Sequence, residues 1–194
     1  MLNSILYTNT SNIQDYTKQY KDILGLTSVW FLVVGYYGTK NKSNYIKFCG
    51  LYITLCGLLS LLFWYNPITN SIYHYLDKYI ATIYFIQFFI GNLLTKCKYL
   101  NFSHIITLYI SIILFFVLSD YFLQKYDIVN AFWCHLLFRY ICYIGLLWTY
   151  CPNIELIFKF TIIYFTYIFY LLDKPHIEYE IELFIIVFIA FIIV

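Results

Sequence analysis

The chain alternates long apolar runs with short polar breaks. The runs fall at residues 23–38, 48–65, 79–94, 105–123, 129–150, 154–172 and 181–194. A bilayer core takes about 20 residues of helix, with a usual range of about 17 to 25. Each run is therefore expected to be a transmembrane helix, the fifth and sixth being the fullest and the first and last the shortest. For the last, a tail lying in the membrane interface is the alternative. Strands compete on propensity, because Ile, Tyr, Phe and Thr favour β structure, but the runs lack sustained alternation and exceed the length of barrel strands. The punctuation agrees with helices: Gly38-Thr39, Asn66-Pro67, Cys151-Pro152-Asn153 and Lys174-Pro175 stand in the connections, where helix breakers belong. The expected fold is all-α, a polytopic transmembrane bundle of six to seven helices. It comprises a polar N-terminal segment, 1–22, and one helical domain, 23–194.

Composition makes water the wrong solvent. Of 194 residues, 62% are hydrophobic, 24% aromatic and only 11% charged, against roughly 25% charged in a soluble domain. One soluble core could not also hide 19 Phe, 23 Tyr and several near-bilayer-length runs. The lipid bilayer is the expected partner, with other membrane subunits as further candidates. The net charge of +2 comes without a basic tract or acidic tail, which argues against nucleic acid. Six Cys, mostly inside apolar runs and with no Cys-x-x-Cys, read as small buried hydrophobes. The first 22 residues lack the basic start and short apolar stretch of a cleaved signal, so the first crossing is expected to direct insertion.

Lys40, Lys42 and Lys47 flank the first connection and Lys96 and Lys98 the third, whereas the second, fourth and sixth hold Lys78, Lys125 and Lys174. The positive-inside rule then puts the first and third connections in the cytosol, the N-terminus outside or lumenal and the C-terminus cytosolic. Lys18 and Lys21 count against this orientation.

Arg139, the sole arginine, falls near the middle of the fifth run, where a cation costs roughly 2.5–3.5 kcal/mol on insertion scales. It is expected to face protein and to have a partner, either a carboxylate or backbone carbonyls at a helix break. His135 and Cys142 share its helical face. His74 and Asp77, three apart, suit metal ligation or a carboxylate-oriented imidazole, with helix capping as the simpler role of Asp77. The expected topology places Ser60, His74, Asp77, Asp120, His135 and His176 towards one side. His74, Asp77, His135 and His176 there could hold a zinc ion with an open position for water. Ser60 also ends a small-residue stripe, Gly50, Thr54, Gly57 and Ser60, of the kind that packs helices closely. Glu178, Glu180 and Glu182 read as a solvated loop.

Seven predicted helices with Ser60 late in the second, Asp77 opening the third and a helix bearing His135 resemble the membrane hydrolase superfamily of alkaline ceramidases and adiponectin-type receptors. That family holds a catalytic zinc with a Ser and a His four apart, an Asp and a His-x-x-x-His pair. The resemblance implies hydrolysis of a lipid amide by zinc-bound water, with Ser60 or Asp77 supporting the zinc site. This chain departs from the pattern at Trp64, four after Ser60, and at Arg139, where the second His of the pair would stand.

With short connections and no phosphate loop, nucleophile elbow or zinc helix, the leading expectation is a multi-pass membrane protein with a structural or accessory role. A zinc-dependent intramembrane hydrolase is the alternative. A transporter or channel would show a continuous polar path or broken helices at the midplane, and Gln87, Asn92 and Arg139 supply the polarity available for one.

Overall fold

The structure is a computed structural model and describes residues 16–65, 71–94 and 102–193. Asn66-Pro67, Lys96, Cys97, Lys98 and the residues before Tyr16 lie outside the described residues. Those described form eight helices and no strand: α1 (Lys18–Thr27), α2 (Val29–Thr39), α3 (Asn44–Tyr65), α4 (Ile72–Leu94), α5 (Phe102–Gln124), α6 (Ile128–Tyr150), α7 (Ile154–Asp173) and α8 (Tyr179–Ile193). The all-α bundle follows from the runs, with one division added. The first run is split between α1 and α2 at Ser28, and α1 starts five residues before that run, so the border expected between 22 and 23 falls inside a helix.

Capping explains several boundaries. Asp127 accepts the Asn130 amide at 3.2 Å to open α6. Asn153 accepts the amides of Glu155 and Leu156 at 2.9 and 3.2 Å to open α7, using acceptors the first turn lacks. At the far end of α7, the Gln19 amide from α1 donates to the last carbonyls, those of Leu171, Leu172 and Lys174, at 3.2–3.3 Å.

Helices α1 and α2 continue in one direction across Ser28, and from α2 onward successive helices run antiparallel. The closest approach joins α2 to α3, where a Cβ added at Gly50 would stand 2.7 Å from the Gly35 carbonyl oxygen and from backbone atoms of Gly38 and Thr39. Glycine is required there because the two backbones touch. Helix α5 meets α6 through Ser119, which donates to the Ala131 carbonyl at 3.0 Å. Helix α7 meets α6 through Tyr140 and Thr161, whose hydroxyls lie 2.9 Å apart. The bundle thus has two ends. The Lys18 end carries the starts of α4, α6 and α8 and the ends of α3, α5 and α7. The Lys40 end carries the α2–α3 and α6–α7 turns.

The core is aromatic, with Trp30, Phe132, Tyr143, Phe160 and Tyr164 fully buried. Leu51, Leu55, Leu58 and Leu62 of α3 and Ile110, Ile113, Leu114 and Val117 of α5 are exposed. Among the described residues, four helices, α3, α5, α6 and α7, are long and apolar enough by length and composition to cross a membrane. Glu182 departs from the solvated loop expected of residues 178–182. It lies on α8, fully buried, because Tyr167 donates to its carboxylate at 3.2 Å and Lys174 forms an ion pair with it.

Candidate functional site

The site begins with a conflict inside the first apolar run. Thr27 and Ser28 carry hydroxyls that compete with helical backbone bonding, and both turn back onto the Leu24 carbonyl, at 2.8 and 3.4 Å. The Ser28 amide goes to Gly25 at 2.9 Å and the Phe31 amide to Ser28 at 3.1 Å, a tighter three-residue spacing. The carbonyls of Leu24 and Thr27 are thereby released to side chains, and both are taken by α6.

Arg139 and Tyr143, one turn apart on α6, supply the donors. Tyr143 donates its hydroxyl to the Thr27 carbonyl at 2.7 Å. Arg139, 4% exposed, donates Nη1 to the Leu24 carbonyl and to the hydroxyls of Thr27 and Ser28, both at 2.9 Å. Its Nη2 donates to the Ser60 hydroxyl at 3.3 Å, and its guanidinium carbon lies 5.6 Å from the Trp64 ring centroid. Side chains on a helix lean towards its N-terminus, so Arg139 reaches from the middle of α6 towards the Lys18 end, where these acceptors are.

Ser60 completes the set. It accepts from Ser28 at 3.1 Å and from Arg139. The hydrogen bonds of Arg139 therefore join the α1–α2 break, α3 and α6, and the Asp77 carboxyl of α4 lies within electrostatic reach of the guanidinium. Each hydrogen bond to a charged group is worth roughly 1.5–3 kcal/mol, so the set outweighs the few kcal/mol that burying Arg139 costs.

Of the residues proposed for zinc and catalysis, Ser60 bonds to Arg139 and Asp77 lies within electrostatic reach of the same guanidinium. His74 stacks on Phe63 with ring centroids 5.1 Å apart. His135 meets Trp64 edge-on at 5.9 Å. His176 is exposed in the turn before α8. Among the described residues, no three His, Cys, Asp or Glu side chains form a group that could hold a metal ion. The physical reason is that the imidazoles of His74, buried, and His135, half-buried, pack against aromatic rings of α3. The residues present therefore do not fit the expected zinc site. Sequence reasoning passed over Thr27, Ser28 and Tyr143; the one available signal was the adjacent hydroxyl pair inside an apolar run.

Comparisons with protein-family models, characterised proteins and solved structures find no match.

Proposed function

We propose that the chain is a multi-pass integral membrane protein whose role is structural or accessory, with the Arg139 network as its central fastening. The observation that carries this reading is the inverted distribution of polarity. Arg139, Ser28, Ser60 and Glu182 are buried, while leucines and isoleucines line the outside of α3 and α5, an arrangement suited to hydrocarbon and costly in water. The break at Ser28 is a feature a transporter would also have. Here both released carbonyls are occupied by side chains of the same chain, which supports fastening over transport.

Alkaline extraction of membranes from expressing cells tests the reading. The chain is expected to stay in the pellet, and release with peripheral proteins would end it. The hydrolase is the second reading, supported by the placing of Ser60 and Asp77 in the surroundings of one cation, Arg139. About one zinc per purified chain, lost in a His74→Ala, His135→Ala double variant, would restore it to first place.

A further inference from the structure

Charge is divided between the two ends of the bundle. Eight of the nine described carboxylates belong to the Lys18 half, where five lysines accompany them. Among the described residues, the Lys40 end holds Lys40, Lys42, Lys47 and Lys159 against one carboxylate, Glu155. Glu155 is already matched by Lys159 at 2.6 Å. That leaves Lys40, Lys42 and Lys47 as unbalanced cations. All three are exposed, and they are carried on and beside a tight turn whose Asn41 amide is fixed to the Tyr150 carbonyl at 2.9 Å. The backbone holding them is thus anchored to the end of α6, and Lys40 leans over the Tyr36 ring at 5.0 Å.

We propose that Lys40, Lys42 and Lys47 form a headgroup-binding face for anionic lipid on the leaflet at the Lys40 end. The inference rests on the membrane reading above, because only a chain spanning a bilayer holds these ammonium groups at phosphate depth. The position fits the chemistry: the lysines stand at the ends of α2 and α3, where helices leave the hydrocarbon. Lysine stems can lie along apolar surface while the ammonium meets the headgroup. A lysine near an anionic surface contributes about a fivefold preference at low salt. The opposite face, with its excess of carboxylates, disfavours the same lipid.

The test uses the full chain in nanodiscs of phosphatidylcholine alone and of equal phosphatidylcholine and phosphatidylglycerol, with retained lipids counted by native mass spectrometry. From the mixed bilayer the wild type is expected to keep phosphatidylglycerol over phosphatidylcholine by several-fold, the preference shrinking with added salt. The Lys40→Gln, Lys42→Gln, Lys47→Gln variant should lose it. A Lys18→Gln, Lys21→Gln, Lys125→Gln control should not. Equal retention of both lipids by the wild type, or equal loss in both variants, would overturn the proposal. Competition by inorganic phosphate at matched ionic strength would also overturn it, in favour of a soluble phosphate site. Failure to enter the pure phosphatidylcholine discs would instead refute the membrane reading, so the two failures are distinguishable.

Discussion

Replacing Arg139 by Leu keeps apolar bulk on α6 and removes the guanidinium that holds the α1–α2 break, leaving Tyr143 as the remaining donor from α6. The Leu24 carbonyl and the hydroxyls of Thr27, Ser28 and Ser60 lose their guanidinium, and Asp77 loses a cation from its surroundings. At about 1–3 kcal/mol for each buried group left without a partner, the loss should come to roughly 3–5 kcal/mol. Asp77→Asn should cost less, about 1–3 kcal/mol, since Arg139 keeps a carbonyl and three hydroxyls. The informative quantity is the double variant. With both charges gone, its cost should fall short of the summed single costs by at least about 1 kcal/mol, the coupling expected of groups in one network. Arg139→Lys should lie between, because one ammonium cannot span from the Leu24 carbonyl to Ser60 as a planar fork does. The assay is reversible unfolding in neutral lipid micelles with increasing SDS, followed by tryptophan fluorescence. Strict additivity of the two single variants would refute the coupling of Arg139 to Asp77, and a cost below about 0.5 kcal/mol for Arg139→Leu would refute the fastening role itself.

Three further outcomes follow from the same contacts. Tyr143→Phe strands the Thr27 carbonyl and should cost about 1–3 kcal/mol in the same unfolding assay. Gly35→Val drives side-chain atoms into Thr54 and the Gly50 carbonyl oxygen; it should destabilise by about 1–3 kcal/mol or more, whereas Ala at the exposed Leu58 should change little. The hydrogen bond from Lys174 to Glu182 raises the lysine above its ordinary value of 10.5. A raised folded-state value means the contribution is full below that ordinary value and is lost as pH climbs through the raised one. Hydrogen exchange in α8 should therefore quicken above about pH 10.5 in the wild type, beyond the ordinary base-catalysed rise, and Lys174→Met should remove that extra step.

The helices were legible because hydrophobic run length is set by the solvent the chain must face, and residues 48–65, 105–123 and 129–150 lie inside α3, α5 and α6. Arg139 was legible as a residue in need of partners, since mid-helix charge in an apolar run has few resting places. Its acceptors were not. The break at Ser28 carries neither Pro nor Gly at its centre and depends on two hydroxyls turning onto Leu24, a choice that becomes favourable only once α6 supplies donors for the released carbonyls. Glu182 was hidden for a similar reason, because its burial is decided by Lys174 and Tyr167 on another helix. The imidazoles illustrate the limit of spacing arguments. His74 and His135 lie on the same half of the bundle, yet Phe63 and Trp64 claim their rings.

The most direct test of the central claim, that this chain threads a bilayer repeatedly, is cysteine accessibility in sealed vesicles. Ser43 lies at the Lys40 end and Tyr126 at the Lys18 end, and both are exposed. In a background free of native cysteines, Ser43→Cys and Tyr126→Cys should react from opposite sides. A membrane-impermeant maleimide should label one in intact vesicles and the other only after permeabilisation. Labelling of both in intact vesicles would contradict the account.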